Sequence, residues 1–243
     1  MADNPRRNAL GQPVGPDLPG WTARPRPPRT PLEGRFCRIE ALDPERHTAD
    51  LADAFLRDKA GANWTYLSAG PYSTADEIAA YLKTIAPSQD PVFHTIIDLP
   101  SGKAVGIAGL MRIDPANGVI EVGHIHYSPL LQRHPAATEA MFLLMRRVFD
   151  ELGYRRYEWK CDSLNAPSRA AALRLGFLYE GLFRQAVVYK GRSRDTTWFS
   201  ITDSEWPALK RAYEAWLAPA NFDAAGKQKM RLQDAIAAER ASG

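Results

Sequence analysis

Two clusters of residues in this chain each follow a predicted strand and each open a predicted helix. The first cluster runs from Gln132 to Ala140, and the second from Cys161 to Ser168. The first residues of a helix present free backbone N–H groups and the positive end of the helix dipole, which together favour an anionic ligand. Two such helix starts after adjacent strands predict a site for a phosphorylated cofactor.

The first of these helix starts has small side chains behind a proline. Pro135 fits the first turn of a helix, where its missing N–H would be unpaired anyway. The predicted free donors are then the N–H groups of Ala136, Ala137 and Thr138, with the Thr138 hydroxyl as a further donor. An ordinary proline-started helix without a ligand is the alternative interpretation.

Seven predicted strands and six predicted helices position these clusters. Hydrophobic periodicity, turn residues and helix caps predict their bounds. The predicted strands are 35–42, 92–99, 104–113, 119–127, 156–162, 177–189 and 195–202, and the predicted helices are 43–58, 73–85, 135–152, 167–175, 203–217 and 222–240. Asp203 is the predicted cap of the fifth helix, and Asn117-Gly118 is the predicted turn of a hairpin.

The amino-acid composition limits the classes of protein to which this chain can belong. Of the 243 residues, 45% are hydrophobic, which is enough for a sizeable core. No apolar run approaches the roughly 20 residues that span a bilayer, so no membrane association is expected. Cys37 and Cys161 form no metal-type or redox-type pair, so we expect no metal and a reducing, cytoplasmic location.

The net charge of +3 lies in the first 31 residues, which are rich in proline and arginine. This stretch is predicted to be an extended arm, either packed on the body or mobile, and Trp21 indicates that part of it docks. The remainder is neutral, so nucleic acid is an unlikely partner. The expected organisation is an arm at 1–31, a main domain at 32–206 and a C-terminal helical extension at 207–243.

The order of these motifs resembles the GNAT acyl-CoA N-acyltransferases, particularly the branch related to the ribosomal-protein N-terminal acetyltransferases. The resemblance covers roughly residues 31–206. It is carried by Glu121 to Gly123, Gln132 to Ala140, Asn165 to Ser168, Leu175 to Phe177 and Glu180-Gly181. It implies an α/β (α+β) fold in which helices flank a mixed, mostly antiparallel central sheet with one splayed parallel strand pair. It also implies N-acetyl transfer from acetyl-CoA to a primary amine, by direct attack in a ternary complex.

The resemblance also implies which residues meet the cofactor. The expected contacts are the backbone of the strand end, the first helix start and the second helix start: Ile125, His126, Tyr127, Gln132, Ala136, Ala137, Thr138, Asn165 and Ser168. Ser168 would in addition donate a proton to the departing CoA thiolate. Trp64, Tyr66 and Tyr72 lie in the region that covers the acceptor side in the family, and their aromatic rings suit an amine.

An amine that attacks a thioester must lose a proton to a base within hydrogen-bond reach. Glu121, His124 and His126 are the candidates, with Glu121 and His126 carried forward as catalytic. Strict alternation would place Glu121 on one face with Ile125 and Tyr127, and both histidines on the other. Each candidate has a structural alternative, as a paired carboxylate or a half-buried strand residue.

Two further hypotheses stay open at this point. In relatives the cofactor loop has a glycine where this chain has Pro135, and Val187 stands where an acidic residue can follow Gln185-Ala186. Both departures favour a weak or inactive CoA-binding or partner-binding module on the same fold. A third possibility is that the arm binds RNA or the ribosome. The final helix is expected to pack either on the body or on a second copy of the chain, which makes a homodimer possible.

Overall fold

The structure of the protein is a computed structural model that describes residues 6–242. Residues 1–5 of the predicted arm and residue 243 of the predicted extension lie outside that range. Over this range the strands are β1 Arg6–Arg7, β2 Pro13–Val14, β3 Leu32–Glu33, β4 Cys37–Ala41, β5 Val92–Asp98, β6 Lys103–Asp114, β7 Val119–Tyr127, β8 Arg156–Asp162, β9 Leu178–Tyr189 and β10 Arg192–Thr202. Within the described range the helices are α1 Pro44–Phe55, α2 Ala75–Ile85, α3 Pro135–Arg146, α4 Ala166–Arg174, α5 Trp206–Leu217 and α6 Leu232–Ala241.

Eight strands form one sheet in the order β3-β4-β5-β6-β7-β8-β10-β9. Every neighbouring pair is antiparallel except β7 and β8, which run parallel. The predicted mixed, mostly antiparallel sheet flanked by helices is therefore confirmed. Helices α1 and α2 pack on one face of β4 to β6, and α3, α5 and α6 pack on the other face, so the sheet lies between two apolar cores.

Local sequence explains the helix starts. Asp43 caps α1 by accepting from the N–H groups of Glu45 and Arg46, with Pro44 in the first turn. Thr74 and Glu77 form a reciprocal capping box at α2. Helix α3 ends earlier than expected, at Arg146, and continues as a single π-helical turn from Arg147 to Glu151.

Two predictions about the C-terminal region are wrong. Asp203 does not cap α5, because within residues 6–242 its carboxylate accepts only the adjacent Ser204 N–H, and the helix begins at Trp206. The last helix begins at Leu232 rather than at residue 222. Asp223 accepts the N–H groups of Ala225 and Lys227, and this local turn competes with helix in the preceding segment.

The arm packs along the body. The Trp21 indole N–H donates to the Ala116 carbonyl at 2.8 Å, which confirms the expected docking. Gly118 has a φ of +62°, and a Cβ there would overlap the Trp21 ring, so both turn and contact require glycine. Further along, buried Arg147 donates to the carbonyls of Thr30 and Pro31, tying the arm to the end of α3.

The last two helices pack on the body. Leu232, Ala235 and Ile236 of α6 are buried in the same core as Trp206 and Tyr213 of α5. Of the two expectations for the final helix, the structure shows packing on its own chain. No helix within residues 6–242 has the length and apolar character that a bilayer crossing requires.

Candidate functional site

Strands β7 and β8 separate partway along their length. Their parallel pairing joins Val119 through Val122 to Arg156 through Trp159 and then stops, although both strands continue. The residues beyond are 123–127 on β7 and 160–162 on β8. Helices α3 and α4 follow from these diverging ends, so both predicted helix starts lie beside one opening in the sheet. The predicted splayed pair is present.

The start of α3 is arranged differently from the prediction. The Ala136 N–H donates to Nδ1 of His134 at 3.3 Å, and the Ala137 N–H donates to the His134 carbonyl at 3.0 Å. These two groups are therefore not free donors here, because His134 caps its own helix. The Thr138 hydroxyl is buried and accepts a hydrogen bond from Arg174 Nη2 at 2.8 Å.

The residues at this helix start nevertheless suit a pyrophosphate. The His134 contact to the Ala136 N–H is long, so a small rotation of the imidazole would release that donor. Arg174 adds a guanidinium from α4, which suits the bidentate recognition of phosphate oxygens. The N–H donors of this helix start and the charge of Arg174 therefore fit a CoA pyrophosphate. Arg174 was not among the residues predicted from the helix start alone.

The end of β7 is linked to the loop between α1 and α2. The Tyr127 carbonyl accepts from Gln132 Nε2 at 2.9 Å and from Asn63 Nδ2 at 3.4 Å. Gln132 Nε2 also donates to Asn63 Oδ1 at 3.0 Å. Gln132 thus bridges the predicted cofactor loop and the predicted acceptor loop, and a cofactor amide pairing with Tyr127 would replace one of these donors.

The start of α4 holds both of its predicted side chains. Asn165 Oδ1 accepts the Ser168 N–H at 3.1 Å, so the asparagine is a helix cap whose amide nitrogen is still available. The Ser168 hydroxyl oxygen accepts from the Trp159 indole N–H at 3.0 Å. Because that oxygen is engaged as an acceptor, its O–H proton is left to donate elsewhere.

A β-bulge in β7 changes the faces that alternation predicted. Gly123 pairs with Gly109, but His126 pairs with Ile107, so β7 has one more residue than β6 over this span. His124, at the bulge, has a φ of +47°. Glu121 and His126 therefore share the face of α1 and α2, whereas Ile125 and Tyr127 pack toward α3. The prediction that Glu121 and His126 lie on opposite faces of β7 is therefore wrong.

Glu121 lies in a buried ion-pair network where the strands separate. Lys160 Nζ lies 3.0 Å from Glu121 Oε2 and 2.7 Å from Glu158 Oε2. Arg112 Nε approaches the same Glu121 oxygen at 3.1 Å. Burial raises the pKa of the Glu121 carboxyl above its ordinary value, against the lowering effect of Lys160. A carboxylate with a raised pKa is a better proton acceptor than a free glutamate.

His126 lies in an aromatic cage rather than in a polar site. Its ring stacks on Phe55 at a centroid distance of 3.9 Å and meets Trp64 edge-on at 4.1 Å. Neither ring nitrogen has a hydrogen-bond partner in the described part of the chain, and burial lowers the pKa of His126 to about 3. The imidazole is therefore neutral near pH 7 and a weak base. His124 is half-buried against Phe93, and burial lowers its pKa as well.

The predicted acceptor aromatics divide into core and rim. Trp64 is buried, with Tyr72 packed against it at a ring distance of 5.0 Å, so both stabilise the α1–α2 region. Tyr66 instead reaches across the opening, where its hydroxyl donates to the Leu164 carbonyl at 3.1 Å. That contact places Tyr66 beside the start of α4.

The tip of the β9–β10 hairpin closes over the same opening. Lys190 Nζ donates to the Trp64 carbonyl and Arg192 Nη2 to the Thr65 carbonyl, both at 2.7 Å. The Tyr189 hydroxyl donates to Asp162 Oδ2 at 2.8 Å. The hairpin, the α1–α2 loop and the end of β8 therefore form a continuous rim.

Sequence reasoning missed the charged floor of this site, although a signal was present. Residues of β8 alternate between charged and apolar or aromatic side chains, with Arg156, Glu158, Lys160 and Asp162 on one face. Period-two spacing of charges on an otherwise apolar strand indicates a polar face that meets other groups. The signal for Asn63 and Arg174 was absent, because their partners are distant in sequence.

Comparisons with known proteins agree with this geometry. Residues 38–178 match the family model described as “Acetyltransferase (GNAT) domain”. The crystal structure of a GCN5-related N-acetyltransferase from Brucella melitensis is 54% identical and superimposes with a TM-score of 0.88, covering 90% of this chain and all of the other. A probable GNAT-family acetyltransferase from Chromobacterium violaceum ATCC 12472 is 41% identical, with a TM-score of 0.74 and coverage of 81% and 98%.

A sequence relative carries a narrower name. “Putative ribosomal N-acetyltransferase YdaF” of Bacillus subtilis (strain 168) is 26% identical over 178 residues, which is 71% of this chain and 92% of that protein. The match spans both helix starts and the strands that lead into them.

Proposed function

Because this chain belongs to the GNAT acetyltransferase family, whose co-substrate is acetyl-CoA, we propose that it transfers an acetyl group to a primary amine by direct attack in a ternary complex. The observation that carries this proposal is the opening between β7 and β8, with the starts of α3 and α4 beside it. The acceptor is either a small molecule or the N-terminus of a protein. A homodimer in the cytoplasm is part of the same proposal.

The start of α3, Arg174 and the backbone at the end of β7 would hold acetyl-CoA. When bound, acetyl-CoA supplies the thioester carbonyl that the amine attacks. In this proposal the backbone of Ile125, His126 and Tyr127 pairs with the pantetheine arm, as an added strand pairs with a sheet. Asn165 contributes its free amide N–H₂ from the opposite side of the opening.

Glu121 is the proposed base and Ser168 the proposed acid. The Glu121 carboxylate removes the amine proton, directly or through one water, and its raised pKa suits that task. The Ser168 O–H, whose oxygen is held by Trp159, donates to the departing thiolate. His126 then serves as a neutral wall of the acceptor side, since its lowered pKa makes it the weaker base of the two.

A CoA-binding module without turnover is the second candidate function. It is favoured by one observation, the occupation of the Ala136 and Ala137 N–H groups by His134. In that case acetyl-CoA binds but no amine releases the free thiol.

Calorimetric titration of the full chain with acetyl-CoA tests the first step. Ala136 is fully buried, so Ala136→Glu risks unfolding the chain, and Arg174→Gln is the safer variant. We expect binding by the wild type and about tenfold weaker binding by Arg174→Gln, because one charge-assisted contact is lost. Arg211→Gln, an exposed arginine on α5, is the matched control and should bind like the wild type.

Thiol release across a panel of amines and N-terminal peptides then separates the two candidate functions. Release with at least one acceptor supports the acetyltransferase. Binding without release across the panel favours the module, and absence of binding by a folded wild type rejects both.

A further inference from the structure

The tip of the β9–β10 hairpin concentrates positive charge at the rim of the opening. Lys190 and Arg192 donate to backbone carbonyls of the α1–α2 loop, and Arg194 Nε donates to the Thr196 hydroxyl at 3.1 Å. These acceptors are neutral, so they leave the charge of all three side chains uncompensated. Within residues 6–242, none of the three forms an ion pair.

The few carboxylates of this region do not cancel that charge. From Arg184 to Asp195 the hairpin contains four basic residues and one acidic residue, a net charge of +3. Asp195 accepts the Gln185 N–H at 2.7 Å. Asp162, at the end of β8, is buried and accepts the Tyr189 O–H at 2.8 Å. The hairpin tip therefore stays positive.

Elsewhere on this face of the sheet the charges are paired. Lys160 contacts both Glu121 and Glu158, and Arg156 contacts both Glu158 and Glu180. A charge that already has an opposite partner offers little to a ligand, because much of its field is cancelled. The hairpin tip is thus the part of this face that can attract a charged group.

The two arginines of the tip are held against a ring. The Cζ atoms of Arg192 and Arg194 lie 5.0 and 5.9 Å from the centroid of the Tyr189 ring. The Tyr189 hydroxyl is in turn fixed by its bond to Asp162. Partial burial lowers the pKa of Lys190, and the charge of Arg192 adds to that effect. Cations held close together in this way lose less side-chain entropy when an anion binds.

These cations lie on the acceptor side of the opening. Arg194 shares a face of β10 with Trp198, and Lys160 Nζ lies 3.8 Å from the Trp198 ring. Lys160 pairs with Glu121, the proposed base. The groups that suit the CoA pyrophosphate are instead the start of α3 and Arg174. A molecule that extends from Glu121 to the hairpin tip is therefore the acceptor rather than the cofactor.

We propose that the acceptor is the N-terminus of a peptide or protein with acidic residues close behind its first residue, which rests on the proposed function. Its amine meets Glu121 and its carboxylates pair with Arg194 and Arg192. Trp198 and Arg194 are four residues apart on β10, about 13 Å, which is further than the amine and carboxylates of a single amino acid can span. Extended peptide has the same rise per residue as β10, so successive acidic side chains match the spacing of the two arginines.

Peptide binding to the full chain tests this charge preference without turnover. Three hexapeptides differ only in whether glutamate, glutamine or lysine follows the first two residues, and fluorescence anisotropy is measured with CoA present. We expect the glutamate peptide to bind about tenfold more tightly than the glutamine peptide, since two or three exposed ion pairs form. The advantage should shrink as salt is added, and the lysine peptide should bind most weakly.

Substitution of Arg194 tests which side chain reads the charge. Arg194→Gln should weaken binding of the glutamate peptide about threefold and leave the glutamine peptide unchanged, and Arg194→Glu should favour the lysine peptide over the glutamate peptide. Arg7→Gln is the matched control, because Arg7 is an exposed arginine that forms no ion pair within residues 6–242, and its guanidinium donates to a backbone carbonyl. Circular dichroism checks that each variant is folded. Equal losses for all three peptides in Arg194→Gln overturn the proposal.

Thiol release with the same peptides separates this inference from the proposed function. Arg194→Gln should raise the KM for the glutamate peptide and leave the KM for acetyl-CoA unchanged. A raised KM for acetyl-CoA instead would assign these cations to the cofactor, and binding of free glutamate as tight as that of the peptide would make the acceptor a small molecule; either result overturns the inference. Selective binding of the glutamate peptide without thiol release rejects the proposed function but keeps the charge preference. Equal use of the glutamate and glutamine peptides rejects the charge preference but keeps the acetyltransferase.

Discussion

Glu121 and Lys160 form a 3.0 Å ion pair at the point where β7 and β8 separate, and both side chains are almost fully buried. The pair explains how a carboxylate is kept inside the sheet without a large loss of stability, since Lys160 offsets part of the desolvation. It also keeps one carboxylate oxygen of Glu121 near the opening. Removal of this carboxylate should therefore slow acetyl transfer without weakening the binding of acetyl-CoA.

Glu121→Gln should lower kcat for acetyl transfer by about 10² to 10³-fold and leave acetyl-CoA affinity nearly unchanged, because the amide cannot accept the amine proton. Glu158→Gln is the matched control, since it loses the other Lys160 contact in the same network. Steady-state thiol release with both substrates varied measures the two effects. Equal losses in the two variants would assign Glu121 a purely structural role.

The pH dependence of wild-type kcat/KM is a second test of the role of Glu121. Burial raises the pKa of Glu121 above its ordinary 4.5, so the acid limb of kcat/KM should lie above pH 4.5. Activity rises with pH through that limb as the carboxyl loses its proton.

At the scale of elements, the carboxylate of Glu139 on α3 holds the turn between β3 and β4. It accepts the backbone N–H groups of Arg35, Phe36 and Cys37 at 2.7, 2.6 and 2.8 Å. Burial and this carboxylate together raise the pKa of the Cys37 thiol, so the cysteine stays protonated and unreactive. One helical side chain thus fixes where the first edge of the sheet meets α3.

Glu139→Gln should destabilise the fold by about 3 kcal/mol, because the amide replaces a charged acceptor and brings its own donors into a site that already has three N–H groups. Urea unfolding followed by circular dichroism measures the change. Glu214→Gln, an exposed glutamate of α5, should leave the midpoint within error. A Glu139→Gln midpoint equal to that of Glu214→Gln would contradict the capping role.

Most elements could be predicted from the sequence, because their caps and periodicity are local. Strands Val119–Tyr127 and Arg156–Asp162 have the predicted bounds, and Asp43 caps α1 as expected. The bulge at His124 could not be predicted, because an extra residue in one strand is recognised only from its pairing with the neighbouring strand. The contacts of Arg174 and Asn63 were missed for the same reason, since each depends on groups far away in the chain.

At the scale of the whole molecule, the part of the N-terminal arm from Trp21 to Pro31 packs on the body. Arg147 is buried, and its guanidinium donates to the Thr30 carbonyl at 2.6 Å and to the Thr30 hydroxyl at 3.1 Å. The Tyr154 hydroxyl donates to the Pro25 carbonyl. The arm therefore contributes to stability rather than serving only as a basic tail.

Deletion of residues 1–31 should lower the melting temperature by about 10 °C, because it leaves a buried guanidinium without most of its acceptors. Deletion of residues 1–20 keeps Trp21 and the Arg147 contacts, and should lower it far less. Thermal melts of the two truncated chains against the full chain give the comparison. Equal melting temperatures for the two truncated chains would show that the arm packs without stabilising the fold.

RNA affinity measured on the same proteins decides whether the arm also binds RNA.

Two buried histidines should make the folded state sensitive to acid. Burial lowers the pKa of His94 to about 4 and that of His126 to about 3, from an ordinary 6.5. Below pH 6.5 the unfolded chain takes up protons that the folded chain does not, so stability is full above that pH and falls as pH drops toward 4. The expected slope is about 1.4 kcal/mol per pH unit for each histidine. Urea unfolding between pH 7.5 and 5 should show it, with a shallower slope in His94→Gln; an unchanged slope would assign the effect to other groups.

The single extra residue at His124 has a consequence for comparing relatives of this protein. A relative without it would present the side chains equivalent to Ile125 and Tyr127, rather than that of His126, toward α1 and α2. A one-position gap at this point of an alignment therefore means that the side chains of the last three residues of β7 point to the opposite faces of the sheet. Substrate preferences in such relatives therefore follow the position of that gap more closely than the chemical similarity of the aligned residues.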